Sequence, residues 1–378
     1  MTTIEWCRNA DGTQGVTWNP IRARHRETGK RGWFCVHKSD GCRFCYSEWQ
    51  NMKGGDSGGN GLAYAAQNLA KIEVYLDEKT LLAPLSWRKP RTIFVCSMSD
   101  LFGEFVPDAW IDRIFAVMAL SPQHTFQVLT KRSERLREYF AKAAPNVLPY
   151  EGIRQAVDSI IDRVTMGFNI NYTKPLPNVW LGVSAERQKE ADERIPDLLA
   201  TPAAIRFVSC EPLLGPIDLT NIRVQLEGKS FMTRSALSAR DPLDKGSPEL
   251  TLDWVIAGGE SGKDARPMHP AWARSLRDQC AAAGVPFFFK QWGEWADQTD
   301  SPPAARRASQ DHIFSPNGEV LGVGVEHGRH GMVDCDWRDK GGAWMGRVGH
   351  KKAGRLLDGR LHDAMPARAG EARRGEAA

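Results

Sequence analysis

The sequence predicts an α/β fold, a partial or full (β/α) barrel of about six to seven parallel strands. Three observations lead there. Short apolar runs alternate with helical patterns along most of the chain. The runs are apolar on both faces, as strands are when a parallel sheet is covered by helices. Each run also ends abruptly in polar residues, and the C-terminal strand ends of a β/α barrel converge on its active-site face.

Taken in order, the first strand is expected at Thr92–Cys96, within RTIFVCSMSD. Pro107-Asp108 then opens a helix that runs to about Leu120. Thr125–Leu129 follows, with Ser133 as the cap of a helix over SERLREYF. Val179–Val183 precedes a helix near Lys189 to Ala200, and Ile205–Val208 and Trp254–Ala257 are further strands. Pro270 near the start and Gly284 just past the end bracket a helix over HPAWARSLRDQCAAAG. Val285–Phe289 closes the series, and a seventh strand is expected near Gly15 to Trp18, ahead of a group of cysteines.

One domain is expected over residues 1–295, with inserts near 143–177 and 223–249. The first insert contains a helical stretch. The second is rich in Ser, Arg, Asp and Gly and reads as a surface loop or lid. Residues 296–367 read as a linker and a small basic C-terminal extension. Within it, HIFSPNGEVLGVG resembles a hairpin about Asn317-Gly318. Residues 368–378 read as a disordered tail.

The chain has 378 residues, 42% apolar and 25% charged, which excludes a disordered chain, a collagen and a coiled coil. No stretch approaches the roughly 18 apolar residues of a membrane span. MTTIEWCRNADGTQG has no apolar secretory core, so no membrane and a cytoplasmic location are expected. Net charge is +4, and from Arg338 onward ten Lys/Arg stand against five Asp/Glu. The basic excess therefore sits in the tail, which suits either a polyanionic partner or a solvated terminus.

Eight cysteines in a reducing compartment do not suggest a disulfide framework. Three of them fall within eleven residues, as Cys35-x6-Cys42-x2-Cys45. Three thiolates on one loop can hold three irons of a 4Fe-4S cluster and leave the fourth iron open. Gly41 allows a tight turn before the second ligand, and Phe44 would shield the cluster from water. Zinc is the rival, with Cys7 or His37 as the fourth ligand. Ordinary burial of three thiols is the third reading, and it sits poorly with so polar a loop.

The strand ends supply further candidates. Ser99 and Asp100 follow the first run, and Lys131 and Arg132, suited to a carboxylate or phosphate, follow the second. Glu211 precedes Pro212. Gly258 and Gly259 allow close approach of a ligand or merely a tight turn, with Glu260 as an ammonium partner. Lys290 needs a mate if buried, Glu211 or Glu260. Glu211, Lys290 and Lys131 are the expected catalytic residues; Gly258, Gly259, Glu260, Ser99 and Asp100 the expected cofactor-binding ones. Cys210 reads as a hydrogen-atom donor or, more simply, a buried thiol. Trp292 and Trp295 would stack a base or fill a core. His327, His330, Cys335 and His350 form a second metal site or are merely scattered. Lys351 and Arg355, at i and i+4, would share a basic helical face that meets phosphate.

Cys-x2-Cys with an aromatic before the last cysteine, ahead of a β/α repeat, resembles the radical S-adenosylmethionine (radical SAM) superfamily. Its usual spacing is Cys-x3-Cys-x2-Cys, whereas six residues fill the first gap here. More closely, the chain resembles a phage and bacterial family of unknown function with such a three-cysteine motif. The matching segments include IEW at Ile4, TWNP at Thr17, GCRFCYSE at Gly41, VSCEPLLGPI at Val208 and WVIAGGESG at Trp254. They continue with ARPMHPAW at Ala265, VPFFFKQWGEW at Val285 and GRLLDGR at Gly354. The resemblance implies a cluster on Cys35, Cys42 and Cys45 and S-adenosylmethionine on its open iron. It implies one-electron cleavage to a 5′-deoxyadenosyl radical, which takes a hydrogen atom from the substrate. The superfamily's Gly-Gly-Glu follows an early strand, whereas Gly258-Gly259-Glu260 follows a late one. A nucleic acid or nucleotide substrate, a protein partner and the host cytoplasm would suit a phage-like gene. The alternative is a nucleic-acid-binding protein stabilised by zinc or a cluster, without catalysis.

Overall fold

The computed structural model describes residues 4–54, 58–142, 151–161, 175–225, 230–238, 251–300, 311–323 and 336–367. The chain divides into two compact units. One comprises Met1–Val183, Asp197–Phe207 and Ala367–Ala378; the other comprises Ser184–Pro196 and Val208–Pro366.

The first stretch of chain runs β1 (Val16–Trp18), β2 (Ile21–His25), β3 (Arg31–Gly32), α1 (Tyr46–Lys53), β4 (Ile72–Leu76) and α2 (Glu78–Leu82). It continues with β5 (Thr92–Val95), α3 (Asp108–Ala119), β6 (Thr125–Thr130), α4 (Ser133–Ala141), α5 (Glu151–Ile161) and β7 (Val179–Ser184). Next come α6 (Gln188–Leu199), β8 (Ile205–Cys210), β9 (Ile222–Gln225), β10 (Phe231–Arg234), β11 (Trp254–Gly258), α7 (Pro270–Ala283) and β12 (Phe287–Gln291). The last are β13 (Trp295–Asp297), β14 (Asp311–Phe314), β15 (Val320–Val323), β16 (Ala343–Arg347) and α8 (His350–Ala353).

The fold is α/β, and its main sheet has seven strands in the order β1-β5-β6-β7-β8-β11-β12. Val16 lies opposite Ile93, Thr92 opposite Thr125, Phe126 opposite Val179 and Val255 opposite Phe287, all in parallel pairs. The order has two ends, β1 and β12, so the sheet is a half-barrel and not a closed ring. All seven expected strands form. The reason is visible in the burial: β5, β7 and β11 are buried at every position. Such strands have no solvent face to carry polar residues.

In the first unit α3 buries Ile111, Ile114, Phe115, Val117 and Met118, the stripe expected of a covering helix. Phe115 stacks on Tyr139 at 6.0 Å and meets Phe140 edge-on at 5.4 Å, which docks α4. Ser133 is the first residue of α4 and not its cap. The cap position is Arg132, and the Ser133 hydroxyl donates to Asp197 Oδ2 at 2.8 Å instead. Residues 151–161 of the first insert are the helix α5, with Ile153, Val157 and Ile160 buried. A small antiparallel sheet, β3-β2-β4, is formed by chain that lies between β1 and β5 of the main one. It was not expected, because IRARH carries only two buried residues, Ile21 and Ala23.

In the second unit the stretch read as an aperiodic loop holds the antiparallel pair β9–β10, from Ile222 opposite Arg234 to Gln225 opposite Phe231. α7 ends as its sequence predicts, with Gly284 left-handed at φ 71°. The His269 side chain caps its start. β14 and β15 pair about Asn317-Gly318, within a four-stranded antiparallel sheet β13-β16-β14-β15. Lys351 and Arg355 do not share a helical face. Gly354, at φ 70°, ends α8 after Ala353, and Arg355 turns inward to donate to the Lys290 carbonyl at 2.7 Å. Among the described residues no helix is long and apolar enough to cross a membrane.

Candidate functional site

The cysteine loop belongs to the first unit. Cys35 packs against a small core of Ala23, Phe34, Tyr64 and Ile72, with Phe105 alongside. Cys42 closes a single 3-10 turn, Asp40–Cys42, and its amide donates to the Ser39 carbonyl at 2.9 Å. Cys45 occupies the cap position of α1, and its amide donates to the Cys42 carbonyl at 3.2 Å. Backbone turns therefore carry the second and third cysteines from the loop into the helix.

Hydrogen bonds between side chains and backbone tie this loop to the ends of β5 and β6. The Ser99 hydroxyl donates to the Phe34 carbonyl at 2.8 Å. Arg132 Nη2 donates to the Val36 carbonyl at 2.9 Å. The Tyr64 hydroxyl donates to the Met98 carbonyl at 2.8 Å, while the Tyr64 carbonyl accepts the His37 amide at 3.3 Å. His37 is turned to Glu48 Oε2 at 2.8 Å, so its imidazole is engaged within the unit.

Asp100 is the hub of the strand ends. Oδ1 accepts from Thr130 Oγ1 at 2.7 Å and from the Phe102 amide at 3.0 Å. Oδ2 accepts from the Lys131 amide and from Arg132 Nη1, both at 3.1 Å. Arg132 Nε reaches Glu104 Oε2 at 2.8 Å as well. Asp100 and Arg132 are nearly buried, at 9% and 4% side-chain exposure, so each is the other's main charge compensation. Lys131 is placed by its amide on Asp100, and Ser99 by its hydroxyl on the cysteine loop.

These surroundings shape the thiols. Burial pushes Cys35 well above the ordinary thiol range; the Asp100 carboxylate and the Cys45 and Cys42 thiols push the same way, against Arg132. Burial also raises Cys45, opposed by the hydroxyl of Ser47 at 3.1 Å. Cys96, at the end of β5, is raised by burial, Asp100 and Cys35. It was not singled out from the sequence, and it adopts φ 55°, a left-handed conformation rare for a residue with a side chain. Three thiols thus lie in one another's electrostatic field, and Cys35, Cys42 and Cys45 are all free of disulfides. Among the described residues no three or more His, Cys, Asp or Glu side chains are gathered so that they could hold a metal ion.

The other expected residues belong to the second unit. Lys290 Nζ meets Glu211 Oε1 at 2.9 Å, so Glu211 and not Glu260 is its mate. Glu260 is held by Arg266, whose Nη2 and Nε donate to its two oxygens at 2.7 and 2.8 Å. The Arg266 amide adds a third bond at 2.9 Å. Gly258 and Gly259 do permit close approach, but to this chain's own groups. A Cβ on Gly258 would stand 2.8 Å from Glu211 Oε1, and one on Gly259 would stand 2.0 Å from the Trp292 carbonyl oxygen. Gly259→Ala is accordingly expected to destabilise the chain by about 1–3 kcal/mol. Gly258→Ala should cost less, because a carboxylate can swing and a backbone cannot. Denaturant midpoints of the two variants would show the order.

Trp292 and Trp295 are core residues, 5% and 2% exposed, donating to the carbonyls of Leu356 and Ala265. Cys210 is fully buried, and burial raises its thiol well above the ordinary range. Of the four residues considered as a second metal site, His350 bonds to Gln291, and His327, His330 and Cys335 lie outside the described residues.

A half-barrel α/β protein with three free thiols on one loop is the class that fold and loop define. The chain belongs to the family described as a protein of unknown function (DUF5131), whose match spans residues 1–366. No curated protein and no solved structure matches it.

Proposed function

We propose that Cys35, Cys42 and Cys45 hold a 4Fe-4S cluster with one iron left open, and that the protein is a radical SAM-type enzyme. The observation that carries this reading is the loop itself: three thiols free of disulfides on a backbone tied to the strand ends, with burial raising Cys35 and Cys45. Thiols held protonated by burial are poor nucleophiles and favourable to leave uncharged. A metal that accepts them as thiolates would offset the burial of their charge. When bound, such a cluster would supply the one-electron reduction that cleaves S-adenosylmethionine to a 5′-deoxyadenosyl radical.

The chain's own residues then have separable tasks. Ser99 and Arg132 hold the loop in place through the Phe34 and Val36 carbonyls. Phe34, Tyr64 and Phe105 keep water from Cys35. Asp100 orients Arg132 and fixes the Lys131 amide, and we assign Lys131 to an anionic group of the cofactor or substrate. In the second unit Lys290 and Glu211 share a proton-bearing contact suited to hold or move a proton on a substrate.

Anaerobic purification with iron and sulfide analysis tests the reading. One cluster per chain is expected, lost in Cys35→Ala, Cys42→Ala or Cys45→Ala and kept in Cys280→Ala. Dithionite and S-adenosylmethionine should then yield 5′-deoxyadenosine on chromatography. Stoichiometric zinc without iron would replace this reading by a zinc-held binding protein. An intact cluster that forms no 5′-deoxyadenosine would remove the catalytic half alone.

A further inference from the structure

Helix α1 is built inside out. Its buried residues are Ser47 and Asn51, at 5% and 0% exposure, whereas Tyr46, Trp49 and Met52 are 42%, 62% and 52% exposed. An amphipathic helix normally does the reverse. The burial of the polar face has a local cause. Asn51 Oδ1 accepts the Trp33 amide at 2.9 Å, and Asn51 Nδ2 donates to Asn60 Oδ1 and to the Leu62 carbonyl, both at 2.8 Å. The helix is thus fastened by hydrogen bonds beside β3, and its aromatic side faces away from that attachment.

That outer side is ordered. Tyr46, Trp49 and Lys53 stand at i, i+3 and i+7 and share one stripe. The Lys53 ammonium lies 3.5 Å above the Trp49 ring centre. The Tyr46 ring is anchored by its hydroxyl, which donates to the Ser97 carbonyl at 2.7 Å. The surroundings are cationic. Residues 16–54 carry eight Lys/Arg against three Asp/Glu, an excess as large as that of the tail. Arg31, Lys38 and Arg43 are exposed, whereas Glu48, one of the three acids, is engaged by His37 and the Tyr64 amide.

An occupant of this face must be anionic and must present flat apolar surface to two rings one helical turn apart. Single-stranded nucleic acid does both, through its phosphates and its unstacked bases. A duplex keeps its bases stacked on one another, and an acidic protein would answer the charge without the rings. We propose that the outer face of α1 binds single-stranded nucleic acid, with bases on Tyr46 and Trp49 and phosphates on Arg43 and Lys53. The site needs no metal, although Arg43 and Tyr46 are chain neighbours of Cys42 and Cys45.

Fluorescence anisotropy with labelled oligothymidylate and oligouridylate tests it, with heparin as a polyanion that has no bases. The full chain should bind both oligonucleotides, more weakly as salt rises. Trp49→Ala should weaken oligonucleotide binding on the order of ten-fold, from the loss of one stacked base, and leave heparin binding unchanged. Arg43→Glu with Lys53→Glu should weaken both ligands. The full chain treated with a chelator to strip any metal should bind like the untreated protein. Oligonucleotide binding that survives Trp49→Ala unchanged would overturn the proposal. So would the absence of binding, or an acidic protein that engages Trp49 where the oligonucleotides do not.

Discussion

Arg132→Met is expected to destabilise the first unit by about 3–5 kcal/mol, the range for removing one partner of a buried ion pair. The guanidinium makes three separate contacts: Asp100 at 3.1 Å, Glu104 at 2.8 Å and the Val36 carbonyl at 2.9 Å. Methionine fills similar volume but leaves Asp100 charged and nearly enclosed. Thr130, Phe102 and Lys131 still donate to that carboxylate, so the loss should sit near the lower end of the range. Arg132→Lys keeps the charge yet cannot reach three acceptors in one plane, and should fall between the two. Chemical denaturation followed by circular dichroism would show the order. An Arg132→Met midpoint equal to that of the wild type would mean that the pair contributes nothing net. The same variant should loosen the loop at Val36, so its iron content is worth measuring in parallel.

Stability is also expected to fall in mild acid because of His269. This imidazole is 3% exposed, and burial pushes its pKa down to about 4, opposed by the Gly341 carbonyl. Its two nitrogens have opposite duties. Nδ1 accepts the Ala271 amide at 3.1 Å as the cap of α7, and Nε2–H donates to the Gly341 carbonyl at 3.2 Å. A second proton would have to sit on Nδ1, facing another donor. The unfolded chain takes up that proton near pH 6.5 and the native chain only near 4. The contribution is therefore intact above 6.5, declines as pH falls and levels off below about 4. The span corresponds to roughly 3 kcal/mol. His269→Asn, which can still cap the helix, should flatten the pH dependence of the denaturation midpoint over that interval. His124 is built alike, with Nδ1 accepting the Arg91 amide and Nε2 on the Pro84 carbonyl, and burial lowers its pKa too. A curve that stays steep in His269→Asn would shift the effect to His124.

The seven sheet strands were legible because burial on both faces leaves unbroken apolar runs such as TIFV and WVIAG. The small strands were not. β2 buries only Ile21 and Ala23, and β10 buries none of its four residues. Their pairing depends on partners distant in sequence, as Ile21 does on Leu76. At the strand ends the residue types were readable but their pairings were not. Lys290 needed a carboxylate, yet nothing in the sequence separates Glu211 from Glu260. Arg266, six residues past Glu260, could have been suspected from that spacing. Asp100 looked like a group awaiting a ligand and is instead surrounded by four donors from its own unit. The tail helix failed for a local reason, since Gly354 stops it one turn after it starts. The inverted face of α1 went unread because YSEWQNMK is too short and too mixed to show which side is buried.

The fastening of the cysteine loop bears on how this chain can change over evolutionary time. Its fixed points at Phe34, Val36 and His37 are main-chain atoms, present whatever the side chain. The partners that must keep their identity lie elsewhere, at Ser99 and Arg132. Between the last fixed point and the turn that delivers Cys42 lie exposed Lys38 and half-buried Ser39. An insertion there would leave the main-chain anchors in place, so the anchoring does not fix the length of the six-residue gap. The spacing of the cysteines is thus less constrained than the identity of the distant side chains that grip the loop, Ser99 and Arg132.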